Sequence, residues 1–266
     1  VADRYTHGHH DSVLRSHRWR TAENSAGYLL PHLSGGQRVL DGGCGPGTIS
    51  LDLARRVAPG EVSGIDASAE VIASAESARI EAGAQDVTFA VGDVYALEHP
   101  DASFDVVHAH QVLQHLTDPV AALVEMRRVL RPDGLLAALD SDYSAFGWFP
   151  LDPRLNRWNE LYHQVTMANR AEADAGRHLR SWVRAAGFTD EQVSSSTWTF
   201  ATDADRAWWG DLWAERAVAS AFATQAVEYG LSDEAELTSI ADGWRAWAAT
   251  DDGLIVLVHG EVLARR

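Results

Sequence analysis

From Arg38 to Thr48 the chain reads Arg-Val-Leu-Asp-Gly-Gly-Cys-Gly-Pro-Gly-Thr, with four glycines in six residues directly after an apolar pair and a carboxylate. Ile49, Leu53 and Val57 follow at helical spacing, so the stretch predicts a strand, a tight loop and a helix. Glycines let backbone approach a ligand where a Cβ would intervene, and the helix N-terminus behind them offers free N–H groups. A nucleotide-like ligand is therefore expected at this loop. A dinucleotide site would need G-x-G-x-x-G. Starting from Gly43 the third position is Thr48, and from Gly45 it is Ser50, so neither register completes that pattern.

Three more strands run into polar residues in order. Glu61-Val62-Ser63-Gly64-Ile65-Asp66 ends in an acid, with a helix from Ser68 to about Ala82 capped by Ser68. Asp66 stands about 20 residues past the loop, where α/β nucleotide folds bond the ribose hydroxyls. Val87 to Val91 leads to Gly92-Asp93-Val94, and Phe104-Asp105-Val106-Val107 leads to His108, His110 and Gln111. A further helix ends at Arg131-Pro132-Asp133-Gly134, ahead of the apolar run Leu135–Leu139.

Together the D-x-G-x-G loop at Asp41, the acids Asp66 and Asp93, the F-D-x-V stretch and the Arg-Pro-Asp-Gly turn resemble class I S-adenosylmethionine (SAM) methyltransferases over residues 36–140, with quinone- and sterol-type enzymes nearest in pattern. The resemblance implies SAM as cofactor, held by Asp41, Gly42, Gly43, Cys44 and Gly45 at its amino-acid end. It implies Asp66 and Ala67 at the ribose, Gly92, Asp93 and Val94 at the adenine, and His110 and Gln111 near the methionine end. It also implies an N-terminal segment folded over the cofactor, from which Tyr5, His17 and Arg20 can face it. Arg20 suits a carboxylate, since a guanidinium binds one in bidentate fashion. The implied fold is α/β, a Rossmann-like seven-stranded mostly parallel sheet with helices on both faces and an added helical cap.

Composition limits the rest. The 266 residues carry a net charge of −16, with 22 Arg and no Lys; this argues against nucleic-acid binding, which concentrates positive charge on one face, and removes lysine chemistry. A single Cys excludes an internal disulfide framework, and no apolar run reaches membrane-spanning length. With no leader pattern visible, the expected compartment is the cytoplasm. His7, His9, His10 and Asp11 read as a solvated terminus rather than a metal cluster, and no metal is expected.

The expected organisation is a helical segment over residues 1–35, including one helix from about Ser12 to Leu30, then a SAM-binding core over 36–140. The rest, 141–266, completes the sheet and carries cap insertions at about 141–176 and 203–250. Helix-like spans cover Leu155–Asn169, Gly176–Ala186 and Asp203 to about Ala249. Ser194–Thr202 reads as the sixth strand, and residues 254–264 as an edge-paired seventh with an irregularity at Gly260. Nine of the ten Trp lie at or after position 148, and most read as the cap's packing core. Trp148, Phe149, Tyr143 and His163 follow the fifth strand, where an acceptor would lie.

The expected function is transfer of the SAM methyl group to a small, largely apolar or aromatic acceptor at oxygen or carbon. His110, His115, His163 and Tyr143 are the candidates for proton removal. The alternative is a SAM-binding protein of the same fold without methyl transfer, such as a cyclase, a regulator or a partner subunit. A nicotinamide oxidoreductase is disfavoured by the incomplete glycine pattern. The expected partner is a small molecule; the sequence does not set the oligomeric state.

Overall fold

A computed structural model describes residues 3–8 and 10–266. In chain order the elements are α1 (Asp11–Arg18), α2 (Ala22–Ser25), β1 (Arg38–Gly42), α3 (Thr48–Val57), β2 (Glu61–Asp66), α4 (Ala69–Glu81), β3 (Val87–Val91), β4 (Phe104–His110), α5 (Pro119–Val129) and β5 (Leu130–Ser141). They continue with β6 (Gly147–Phe149), α6 (Pro153–Ala168), α7 (Ala175–Ala185), β7 (Thr189–Phe200), α8 (Asp203–Ala219), α9 (Ala221–Glu228), α10 (Glu234–Ala248) and β8 (Leu254–Arg265). The sheet has eight strands in the order β3-β2-β1-β4-β5-β8-β6, with β7 also paired to β8. Pairings among β1 to β5 are parallel, and those of β8 are antiparallel.

Alternation along the central strands fills both faces. Val39, Val106 and Ala137 pack on one side with α3, whereas Leu40, Val107 and Ala138 pack on the other with α5 and α7. A parallel sheet buried on both faces needs such continuous apolar strands. A third cluster joins the C-terminal helices to β7 and β8. Trp158, Trp213, Trp244 and Trp247 are almost wholly buried among α6, α8, α9 and α10, so most of the Trp-rich C-terminal half is packing core.

The seven strands expected from the sequence are all present, and β6 is an eighth that pairs three residues with the start of β8. The last strand differs from expectation because it is interior. β8 runs unbroken from Leu254 to Arg265 between β7 on one side and β5 and β6 on the other. Gly260 is needed there for closeness, since a Cβ would stand 2.2 Å from the Gly176 carbonyl oxygen. In the Arg-Pro-Asp-Gly turn, Asp133 takes φ 62°, a conformation that Asp tolerates better than most side chains.

Two long helices expected from the sequence are divided. The N-terminal one stops at Arg18 and restarts after Thr21, whose side chain caps α2 through the Asn24 amide. The region 203–249 forms three helices, broken at Ser220 and again around Gly230, where φ is 67°. His7, expected in a solvated terminus, is buried at 5% exposure and stands 3.0 Å from the Tyr162 hydroxyl; His9 lies outside the described residues. Among the described residues no cluster of metal-ligating side chains occurs and no helix is long and apolar enough to cross a membrane.

The Gly176–Gly260 contact is backbone against backbone, so neither side can yield to a new methyl group. Gly260→Ala should lower unfolding free energy by at least about 2 kcal/mol, read as a urea midpoint. Gly147→Ala, where a Cβ meets nothing within 4 Å, should change it little.

Candidate functional site

The glycine loop lies at the carboxyl edge of the sheet, the edge where open α/β folds bind ligands. Its amides at Gly43 and Cys44 both donate to the Ile65 carbonyl, at 2.8 and 2.9 Å, fastening the loop to the end of β2. Gly43 and Gly47 have φ of 72° and 81°; a Cβ on them would stand 2.4 Å from Val112 and 2.5 Å from Phe89. Gly45 is different: with φ 56°, its missing Cβ would meet only His17 Nδ1, at 3.9 Å. A side chain there would enter a cavity. α3 begins after Gly47, which as N-cap has no side chain to offer, leaving the helix's first amides open to a ligand.

That cavity has a volume of about 560 Å³, within the usual range for small-molecule sites. Tyr5, Arg20, Asp41, Gly43, Cys44, Gly45, Asp66, Ala67, Gly92, Asp93, Val94, His110 and Gln111 all border it, as do His115 and Tyr143. Gly42 and His163 do not, nor do Trp148, which packs on the cap core, and Phe149, which is exposed. Gly42 is inside β1, its α-carbon facing Met126 and the His108 carbonyl. His163 is held outside the wall by the Asn159 carbonyl at 2.8 Å, with Ser144 and Asp174 each at 3.1 Å. The preceding residue on α6, Tyr162, is buried in the cap core instead.

Each carboxylate already has local partners. Parallel register sets Asp41 opposite His108; His108 Nδ1 stands 2.8 Å from Asp41 Oδ1, and the Ser50 hydroxyl donates to Oδ2. Asp41 is therefore locked as well as cavity-facing. Asp66 accepts from the Gly45 amide at 3.2 Å and the Ser68 amide at 3.0 Å. Ser68 in turn caps α4 by accepting from Val71 N. Asp93 accepts from the Tyr95 amide at 2.9 Å. The Cys44 thiol is pushed far up by burial, which makes it a spacer and no nucleophile.

Opposite these acids stands Arg20. Its Nη2 donates to Gln111 Oε1 at 2.6 Å, its plane lies 5.6 Å over Trp198, and its Nε has no partner. Among the described residues no carboxylate forms an ion pair with it, and burial brings its pKa down to about 10. Gln111 adopts φ 53° to present its side chain there, a backbone cost of about 1–3 kcal/mol. An uncapped glycine loop, three acids and one unpaired guanidinium fit a ligand with a carboxylate, an ammonium, a ribose and an adenine amino group. SAM has all four.

The histidines separate by hydrogen bonding. His110 Nδ1 lies 3.1 Å from the Ser25 carbonyl; a carbonyl only accepts, so Nδ1 holds the proton and Nε2, which has no partner, keeps a free lone pair. In His115 the arrangement is reversed. Gln114 Oε1 accepts from the Ser141 amide, so its NH₂ group faces His115 Nε2 at 3.0 Å and uses that lone pair. Beneath it Asp140 accepts from Gln114 N, and burial pushes its carboxyl up to about 8. Burial also holds His110 well below its ordinary pKa and brings His115 down to about 3. His110 is thus a neutral acceptor, whereas His115 presents Nδ1–H.

Several wall residues escaped the sequence reading. Trp198, Trp209, Trp213, Arg216 and His259 come from β7, α8 and β8, and nothing local distinguishes them from packing residues. The N-terminal residues close the top. Asp3 accepts from Thr117 N at 2.9 Å, while Asn169 and Gln225 bond Thr6 and the Tyr5 carbonyl at 3.1 Å each.

Comparison with known proteins agrees with this geometry. Residues 33–195 match the family model described as "Methyltransferase domain". An uncharacterized methyltransferase of Schizosaccharomyces pombe is 32% identical over 98% of this chain and 96% of its own. A ubiquinone/menaquinone biosynthesis C-methyltransferase of Bdellovibrio bacteriovorus is 38% identical over 40% of this chain and 44% of its own. In fold, the chain superposes on the YcgJ protein of Bacillus subtilis with a TM-score of 0.60 and 21% identity, covering 97% of this chain and 99% of that one.

If Asp66 holds the ribose, Asp66→Ala should weaken SAM binding by about 1–3 kcal/mol in calorimetry, whereas His163→Ala should leave it unchanged. A separate expectation concerns acid. His259 is fully buried and its pKa is lowered to about 3, mainly by burial. The unfolded chain binds this proton below about 6.5 and the folded chain does not, so the stability it contributes is complete above that pH and falls as pH drops. Of the stability lost between pH 7 and 5, about 2 kcal/mol should disappear in His259→Gln, measured by denaturant titration at both pH values.

Proposed function

The chain belongs to the class I SAM-dependent methyltransferases, and on that footing we propose that it methylates an oxygen or carbon of a small, largely apolar or aromatic molecule. One observation carries this reading. The cavity is continuous from the glycine loop to a wall built by Trp198, Trp209, Trp213 and Phe146, so cofactor and acceptor share one enclosed space. The local likeness to a quinone-biosynthesis C-methyltransferase agrees with an aromatic acceptor.

In this reading Arg20 binds the methionine carboxylate and Asp41 faces its ammonium. Asp66 binds the ribose hydroxyls, and Asp93 with the Val94 amide meets the adenine. When bound, SAM supplies a sulfonium-activated methyl carbon open to in-line attack. The protein's own part is largely placement and exclusion of water. The N-terminal residues and the aromatic cap close over the sheet edge and hold the acceptor against it. A hydroxyl acceptor must lose a proton, and His110 Nε2 is the group placed to take it. Its neutrality needs no tuning near pH 7, because burial already opposes protonation. Tyr143, with its phenol raised by burial, stays protonated and orients by donating. His115 donates too. His163 has no part in the proton transfer.

The test is transfer of label from methyl-labelled SAM to a panel of phenols and hydroquinones, read by mass spectrometry. Intact protein should give a labelled product, and Gly45→Val, whose side chain would occupy the cofactor space, should reduce it by at least about a hundredfold. Tight SAM binding with no labelled product from any acceptor would instead favour a SAM-binding protein without methyl transfer.

A further inference from the structure

We propose that the acceptor carries a carboxylate and that Arg216 binds it. This rests on the methyl-transfer reading above and names the acceptor's class. Arg216 is on α8, borders the cavity, and is only 4% exposed. Its Nη2 donates to the Ser12 carbonyl and the Ser16 hydroxyl, both at 3.0 Å, and its plane lies 4.5 Å over Trp213. Its Nε has no partner.

No described carboxylate lies within 4.0 Å of it. The neighbouring Glu215 is turned away, paired with Arg15 and 3.8 Å from His10. The phenols around Arg216 cannot stand in as counter-ions: burial pushes Tyr5 up to about 12 and raises Tyr143 and Tyr162, so all three are neutral. Burial likewise brings Arg216 down to about 10, which leaves it charged at neutral pH. A buried, charged, unpaired guanidinium is costly to fold around, and Arg206, the other arginine buried to the same degree, avoids the cost by pairing with Asp203. Arg216 lacks an anion among the described residues. The ligand is the remaining source.

The cofactor does not supply it. SAM has one carboxylate, and Arg20, held by Gln111 just past the end of β4, is the guanidinium assigned to it above. Arg216 is on the cap side, among Trp213, Tyr143 and Tyr162. One guanidinium balances one negative charge, which favours a carboxylate over a phosphate dianion in a chain without lysine. The tryptophan wall receives the acceptor's apolar body, and Arg216 fixes its acidic end.

The probes are aromatic hydroxy acids, namely hydroxybenzoates and hydroxycinnamates, against their uncharged primary amides, titrated calorimetrically into protein saturated with S-adenosylhomocysteine. The acids should bind at least about tenfold more tightly than the amides. Arg216→Met should erase that preference, Arg216→Lys should keep part of it, and neither should change S-adenosylhomocysteine affinity. Without ligand, Arg216→Met should melt no lower than the native chain, because Ser16 still donates to Val13 and a buried charge has been removed. Equal binding of acids and amides, or no acid binding, would overturn the proposal. So would a loss of S-adenosylhomocysteine affinity in Arg216→Met, which would assign the guanidinium to the cofactor, or a marked drop in its melting temperature. Failure of the methyl-transfer reading looks different: the acid preference would persist while no label moved.

Discussion

The loop after β1 must pass between two side chains that leave no room for a Cβ. Val112 closes on Gly43 and Phe89 on Gly47, and both glycines occupy the left-handed region that other residues adopt at a cost. This confinement turns the chain sharply enough for α3 to begin uncapped at the edge of the sheet. It also brings the Gly45 amide to Asp66, so the loop and the end of β2 form one rigid rim. The sheet side of the cavity is measured from that rim.

Around it, charge is distributed unevenly. Three acids stand on the sheet side and two guanidiniums without carboxylates stand on the side of the N-terminal segment and cap. Isolated burial of such groups costs several kcal/mol each in real proteins, and it is tolerated when a bound ligand supplies the complement. The same economy explains the histidines. Burial keeps His7, His110, His115 and His259 neutral, so hydrogen-bond partners rather than pH decide which nitrogen is a donor and which an acceptor. A ligand of mixed charge would complete this wall, and an uncharged one would leave it frustrated.

The cap contributes shape and dryness. Its tryptophans pack on one another edge to face, with Trp158 at 4.6 Å from Trp213 and 4.8 Å from Trp244. Such contacts add to the area buried and fix the face of α8 that looks inward. Trp213 and Arg216 share that face one turn apart. The N-terminal residues seal the remaining opening through Thr117, Asn169 and Gln225, which belong to three different elements or their connections. The site is therefore assembled from both ends of the chain and its middle.

What could be read from the residues alone is what the backbone encodes locally. The glycine run, the two-residue alternation of the central strands and the acids at their ends depend on neighbours within a few positions, and they located the glycine loop, the sheet and the acids Asp41, Asp66 and Asp93 at its edge. Even so, the interior place of β8 and the division of the C-terminal helices were not legible, because pairing order and helix breaks answer to packing. Arg216, Trp213, His259 and the buried His7 were invisible for the same reason. A guanidinium is a surface group until folding withholds its counter-ion, and His163 was a plausible base until α6 turned it to Asn159, Ser144 and Asp174, away from the cavity. The sequence determined the family and its cofactor through local motifs; tertiary contacts between residues some two hundred positions apart decided the charge and shape of the cavity beside the glycine loop.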